Sequence, residues 1–212
     1  MNEYSSREEI VNIISHAIGL MLSIVALVLL LIQANAFGNV WHIVSVGIFG
    51  VSLILLYAAS TLYHSSKQQV LRKRLKIFDH AAIYVLIAGT YTPFALITLN
   101  STVGWTLFSV SWGLALIGII FKLFYTGKYQ SISTLMYILM GWMIVFAMKP
   151  LIDNLALEGL NWLIAGGVSY TIGAIIYSIE KIKFNHAIFH IFVLIGSFCH
   201  FISVYYYVLP SK

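Results

Sequence analysis

The chain is poor in charge. Of its 212 residues only 9% are Asp, Glu, Lys or Arg, while 60% are hydrophobic. Residues 10 to 66 carry no charge at all, and neither do 80 to 121, 129 to 148, 159 to 179 or 184 to 211. That balance excludes a soluble globule and indicates an integral membrane protein. The single cysteine, Cys199, excludes an internal disulfide and reads as a small core residue. Internal repeats and low-complexity segments are absent. No connecting segment is much longer than about a dozen residues, so no soluble domain is left over. The opening MNEYSSREEI is polar and mixed in charge, with no small-residue cleavage site after a short apolar run. A cleavable signal peptide is therefore not expected.

What is present is a series of long apolar runs. A membrane-spanning helix needs about 20 apolar residues. The first two uncharged stretches are long enough for two spans each, with polar breaks around Gln33–Asn39 and Asn100–Gly104; the other three hold one each. The expected spans are roughly 13–35, 40–64, 78–99, 104–125, 130–148, 160–179 and 185–208. An open sheet is excluded in lipid, and a barrel would show alternating polarity; runs such as Ser23–Ile32 are apolar on every side. The expected fold is all-α: one seven-transmembrane bundle over residues 1–212.

Basic residues orient the bundle. With the N-terminus inside, ten of the twelve Lys and Arg fall on inner segments: Arg7, Lys67, Arg72, Lys73, Arg74, Lys76, Lys122, Lys128, Lys181 and Lys183. Only Lys149 and Lys212 fall outside. The N-terminus is therefore expected in the cytoplasm and the C-terminus outside. The basic loop Lys67–Lys76 is expected to rest on anionic headgroups. A nucleic-acid reading of it is weak, since the patch is short and lies at the membrane.

Threaded this way, four polar residues meet at one depth. His64 ends the second helix, Asp79 opens the third, and His186 and His190 open the seventh, all on the inner side. His186 and His190 are four apart and share a helix face, so two imidazoles can meet one metal. Three His ligands on zinc leave a position for water, which Asp79 would hold and deprotonate as general base. Ser60 lies one turn before His64 on its face and could orient that imidazole or touch the water. Bland alternatives stand beside each reading. Interfacial histidines are common, a four-residue His spacing arises by chance, and Asp79 alone could cap the third helix or pair with Lys76. Of the seven acids, Glu3, Glu8 and Glu9 belong to the N-terminal tail, Asp153 and Glu158 to an outer loop, and Glu180 to a helix end. Asp79 alone is joined to the start of a span.

The other histidines rank lower. His200 is about 21 Å along the helix from His186 and cannot share its centre. His42 is expected at the outer interface. His80 is turned about 100° from Asp79 and either supports the site or faces another helix. His16, near Asn12 and Ser15, is expected to serve packing, with a supporting or substrate-side role as the alternative. The run Gly89-Thr90-Tyr91-Thr92-Pro93 should kink the third helix, for packing or as a hinge. Trp41, Trp105, Trp162 and Tyr205–Tyr207 read as interfacial belts.

These residues resemble a known family. Glu9-x-x-Asn12-x-x-Ser15-His16-x-x-Gly19 is similar to the first motif of the hemolysin III group. So are Ser60-x-x-x-His64 with Phe78-Asp79-His80, and His186-Ala-Ile-Phe-His190 continuing to Gly196 and His200. That group belongs with the progestin and adipoQ receptors, which include the adiponectin receptors. The resemblance spans nearly the whole chain, with the motifs in order. It implies seven helices with the N-terminus inside, and a zinc ion near the cytoplasmic face of what is expected to be a bacterial plasma membrane. By matched positions it implies His64, His186 and His190 as ligands, Asp79 holding the zinc-bound water and Ser60 as a neighbour. The receptors carry Asp-Tyr where this chain has Asp79-His80. The chain lacks their long N-terminal region, so hormone signalling is not implied.

The leading expectation for function is a zinc-dependent hydrolase acting on a membrane lipid amide or ester, since the wider superfamily includes alkaline ceramidases. The alternative is a non-enzymatic membrane-homeostasis or sensor protein with structural zinc. A pore-forming cytolysin, which the group's name carries, fits poorly with seven fixed spans. A transporter is disfavoured because the polar groups gather at one face, not the midplane. A retinal protein would need a Lys in the last helix, and residues 184 to 211 have none. A G-protein-coupled receptor would place its N-terminus outside.

Overall fold

A computed structural model describes residues 5–210; Glu3 and Lys212, counted above among the charges, lie outside the described residues. Among the described residues seven helices are long and apolar enough to cross a membrane, and no strand is present. They are α1 (Ser6–Phe37), α2 (Val40–Ser65), α3 (Gln69–Leu99), α4 (Thr102–Tyr125), α5 (Ser131–Asn154), α6 (Leu157–Ser178) and α7 (Asn185–Val208).

Two helices begin well before their apolar runs. Glu8 and Glu9, expected in a tail, sit in the first turn of α1, where carboxylates favour the positive end of the helix dipole. The Ser5 side chain caps that turn by accepting from the Glu8 N–H at 3.2 Å. Helix α3 starts at Gln69, not near 78, so the expected basic loop is largely helical and Asp79 lies well inside the helix rather than opening it. The reason lies in Arg72. Its guanidinium donates to the carbonyls of Tyr63, His64 and Ser66, each at 3.3 Å. Those oxygens end α2, so one side chain satisfies the acceptors that a helix terminus leaves over. Helix α5 runs to Asn154 rather than 148, passing through a tighter turn over Met143–Ala147. Pro150 stands in the first turn of the final segment, Met148–Asn154, where a missing N–H is tolerated.

Helix α3 forms the centre of the bundle. In its apolar window 72% of residues are buried, against 22% in α5. Helices α1, α2, α3 and α4 pack in sequence, α6 packs on α7, and α7 returns to α1. Glycine permits the closest of these approaches. A Cβ on Gly89 would stand 2.7 Å from the Ser52 Cβ, and one on Gly19 would stand 2.5 Å from the Tyr57 ring. The Gly89–Pro93 run therefore serves packing between α2 and α3. Past Pro93 the helix continues with wider π-type turns over Phe94–Leu99. The hydroxyls of Thr90 and Thr92 bond back to the carbonyls of Leu86 and Ala88 at 2.8 and 3.0 Å.

The outward face of α1 is apolar: Ile10, Ile14, Ile18 and Met21 are all exposed. Such a surface is stable against lipid and not against water. Trp41 and Trp105 meet edge to face at 5.6 Å near the starts of α2 and α4. Tyr205–Tyr207 lies at the close of α7, at that same end of the bundle. The opposite end gathers the start of α1, the close of α2, the early turns of α3 and the start of α7. Cys199 is free and buried.

Candidate metal centre

Four helices deliver polar side chains to that second end. His64 comes from the last turn of α2, and His186 and His190 from the first turns of α7. All three are buried, with 2 to 3% of their surface exposed. Each offers one ring nitrogen, and the three nitrogens lie within 4.8 Å of one another. The Nε2 atoms of His64 and His186 are 3.1 Å apart. Two nitrogens on a tetrahedral zinc, each roughly 2.0–2.1 Å from the ion, stand about 3.3 Å apart. The donor set therefore fits a metal ion: the three buried imidazoles could hold one.

The outer nitrogens are engaged. His64 Nδ1 lies 2.6 Å from Glu9 Oε2, so the N–H belongs on Nδ1 and the lone pair on Nε2 faces the cluster. Glu9 also pairs with Arg72, which stacks 4.6 Å over the Tyr63 ring. His190 Nδ1 lies 3.3 Å from Ser15 Oγ, leaving its Nε2 for the cluster. The carboxylate–histidine arrangement at His64 is the kind that fixes ring orientation around a metal. Sequence reasoning missed Glu9 as a partner and placed it in a tail. Its place in the Glu9-to-Gly19 motif was the available signal. Arg72 had no such signal beyond its charge.

Asp79 is buried beside this cluster and lines the same cavity as His186 and His190. It is near enough to His64, His80 and His186 to interact electrostatically with each. It does not belong to the group of mutually close donors, so it is a neighbour of the three imidazoles rather than a fourth equivalent ligand. His80 reaches Asp79 despite the turn between them, with Nδ1 3.3 Å from Oδ2 but out of hydrogen-bond alignment. Ser60 is fully buried on α2, and its hydroxyl has no hydrogen-bond partner among the described residues.

His16 stacks on His190, ring centroids 3.5 Å apart and planes 12° from parallel, and meets Tyr57 edge-on at 5.1 Å. The residue expected to serve packing thus packs directly on a cluster imidazole. His200 stands apart from the centre, as expected, with Nε2 3.1 Å from the Leu163 carbonyl. His42 joins Asn39 in a capping box at the start of α2, at the end far from the centre.

From Asp79, His186 and His190 an apolar cavity runs through the bundle to Leu160, Leu163 and His200. The ten residues from His190 to His200 correspond to about 15 Å of helix. Lys122 of α4 also lines it, a residue that sequence reasoning counted only as an inner-side charge.

Fold and site together define a polytopic membrane protein with a buried histidine cluster that could bind a metal. Residues 4–201 match the family model described as Haemolysin-III related. The chain belongs to that family. It is 51% identical to "Hemolysin-3" of Bacillus cereus over 205 residues, 97% of this chain and 94% of that protein. It is 50% identical to "Hemolysin-3 homolog" of Bacillus subtilis (strain 168), covering 96% of each chain. A more distant relative is the "Monocyte to macrophage differentiation factor" of Homo sapiens, 29% identical over 181 residues, 81% of this chain and 73% of that one.

Proposed function

We propose that this chain is a zinc-dependent hydrolase of a lipid amide or ester, working within the bilayer near its cytoplasmic face. The observation that carries this reading is the gathering of three buried imidazole nitrogens, with Asp79 beside them, at one end of an apolar cavity. His64, His186 and His190 hold the ion through neutral ring nitrogens. Glu9 and Ser15 keep two of those rings turned. When bound, zinc supplies Lewis acidity toward a carbonyl and toward water. Asp79 accepts the proton of the attacking water and passes it to the departing amine or alcohol. Ser60 offers its unpaired hydroxyl one turn from His64. The cavity takes the acyl chain and excludes bulk water. The cytoplasmic placement rests on the ten-to-two distribution of Lys and Arg.

Two measurements test this. Elemental analysis should find one zinc per chain, lost or much weakened in His190→Ala. Zinc-loaded protein should release fatty acid from a lipid extract of its own host cells, and Asp79→Asn should not. Absence of zinc from well-folded protein purified without chelator removes the metal reading. Zinc without any released fatty acid removes the hydrolase and leaves a membrane-homeostasis role with structural metal.

The name of the Bacillus cereus relative, "Hemolysin-3", favours a second reading, lysis of erythrocytes. Seven apolar spans with exposed apolar faces give no water-soluble form that could attack another cell. Detergent-free secreted protein that lysed erythrocytes at low dose would restore it.

A further inference from the structure

Lys122 is anomalous. It lies in the last turn of α4, where a lysine ordinarily extends along the helix toward water or lipid headgroups. Here only 1% of its surface is exposed, and its side chain lines the cavity. Among the described residues no carboxylate pairs with it. Its ammonium group lies over the face of Tyr137, with Nζ 5.8 Å from the ring centroid. Lys76, a second cation, is near enough to act on it electrostatically. An ammonium ion buried without a counter-charge is costly, and the cost falls when an anion arrives.

The cavity indicates what that anion belongs to. Lys122 faces Tyr137 of α5, and the same helix brings the polar side chains of Ser133 and Thr134 to the cavity wall. Farther along it is apolar, past Ile144, Leu160 and Leu163. A ligand matched to both ends has a compact anionic head and one long apolar tail. We propose that Lys122 binds the anionic head, carboxylate or phosphate, of a single-chain lipid whose tail fills the cavity. This rests on the lipid-hydrolase reading, for which it specifies the substrate or product as an acidic single-chain lipid. Lys122 acts as the anchor that selects for charge.

The experiment measures binding, not turnover. Laurate, dodecyl phosphate and dodecanol share one chain length and are titrated into zinc-loaded protein in maltoside micelles, read by tryptophan fluorescence. The wild type should prefer at least one of the two anions to the alcohol by about tenfold or more. The preferred head identifies the source, fatty acid or lipid phosphate. Lys122→Met should abolish the preference while leaving dodecanol affinity, zinc content and melting temperature unchanged, and Lys122→Arg should retain it. Should Lys122→Met fail to fold, the Lys122→Arg variant and the wild-type ranking of the three ligands still decide the matter. An alcohol bound as tightly as either anion overturns the proposal. So does a preference that survives in Lys122→Met and disappears in His190→Ala, which would assign the head to the metal. None of these results depends on hydrolysis, so a catalytically silent protein with an intact anion preference would sink only the hydrolase.

Discussion

Glu9 Oε2 and His64 Nδ1 are 2.6 Å apart, although 55 residues separate them in the chain. The contact joins the first turn of α1 to the last turn of α2, in a place where neither residue is open to solvent. It sets which nitrogen of His64 carries hydrogen, and hence which one faces His186. Glu9→Gln keeps the shape and removes the charge. Zinc affinity, measured by competition with a chromophoric chelator, is expected to fall about 10- to 100-fold. Unchanged affinity would mean that Glu9 serves only the ion pair with Arg72.

Substitution at Asp79 tests whether metal binding and chemistry can be separated. Because it lies beside the donor group rather than within it, Asp79→Asn should keep its zinc. Fatty-acid release should nevertheless fall by about 10²- to 10⁴-fold, the usual weight of a general base. Loss of zinc along with activity would make Asp79 a ligand instead.

Removing the metal should loosen one end of the bundle. An ion held by α2 and α7 would bind the folded state only, and so would add stability that grows with the logarithm of its free concentration over its Kd. Chelation is expected to lower the melting temperature of the wild type and to leave that of His186→Ala where it was. Equal shifts in both proteins would place the stabilising ion elsewhere.

The approach of α2 to α3 can be tested without touching the centre. A methyl group on Gly89 would stand 2.7 Å from the Ser52 Cβ, so one helix must move. Gly89→Ala should cost about 1–3 kcal/mol in reversible unfolding from mixed micelles. A neutral or stabilising result would show that the helices part easily there.

The seven spans were legible because a membrane leaves a coarse mark, the uncharged run. The shared depth of His64, Asp79, His186 and His190 was legible too, from alternating helix direction; their lateral meeting comes from how the helices pack. Helix length was less so. Hydropathy sees the part of a helix that contacts lipid, and α3 extends nine residues earlier through charged sequence that Arg72 ties to the end of α2. Glu9 looked like a tail residue because its partners are supplied by other helices. The burial of Lys122 was not legible, because the ring it faces, Tyr137, belongs to α5. His80 was expected to point away on helical geometry, yet a long enough side chain bends back to within 3.3 Å of its neighbour.

Arg72 has a mechanical consequence. One guanidinium holds the Glu9 carboxylate of α1, three carbonyls at the end of α2, and its own backbone in α3. Three helices are thereby pinned at one knot, and His64 sits in the middle of it. Sliding α1 against α2 by a single turn, about 5.4 Å, would undo the knot and the imidazole geometry in one motion. Forces that tilt or stretch these helices, such as a change in bilayer thickness or lateral pressure, therefore bear directly on the three nitrogens.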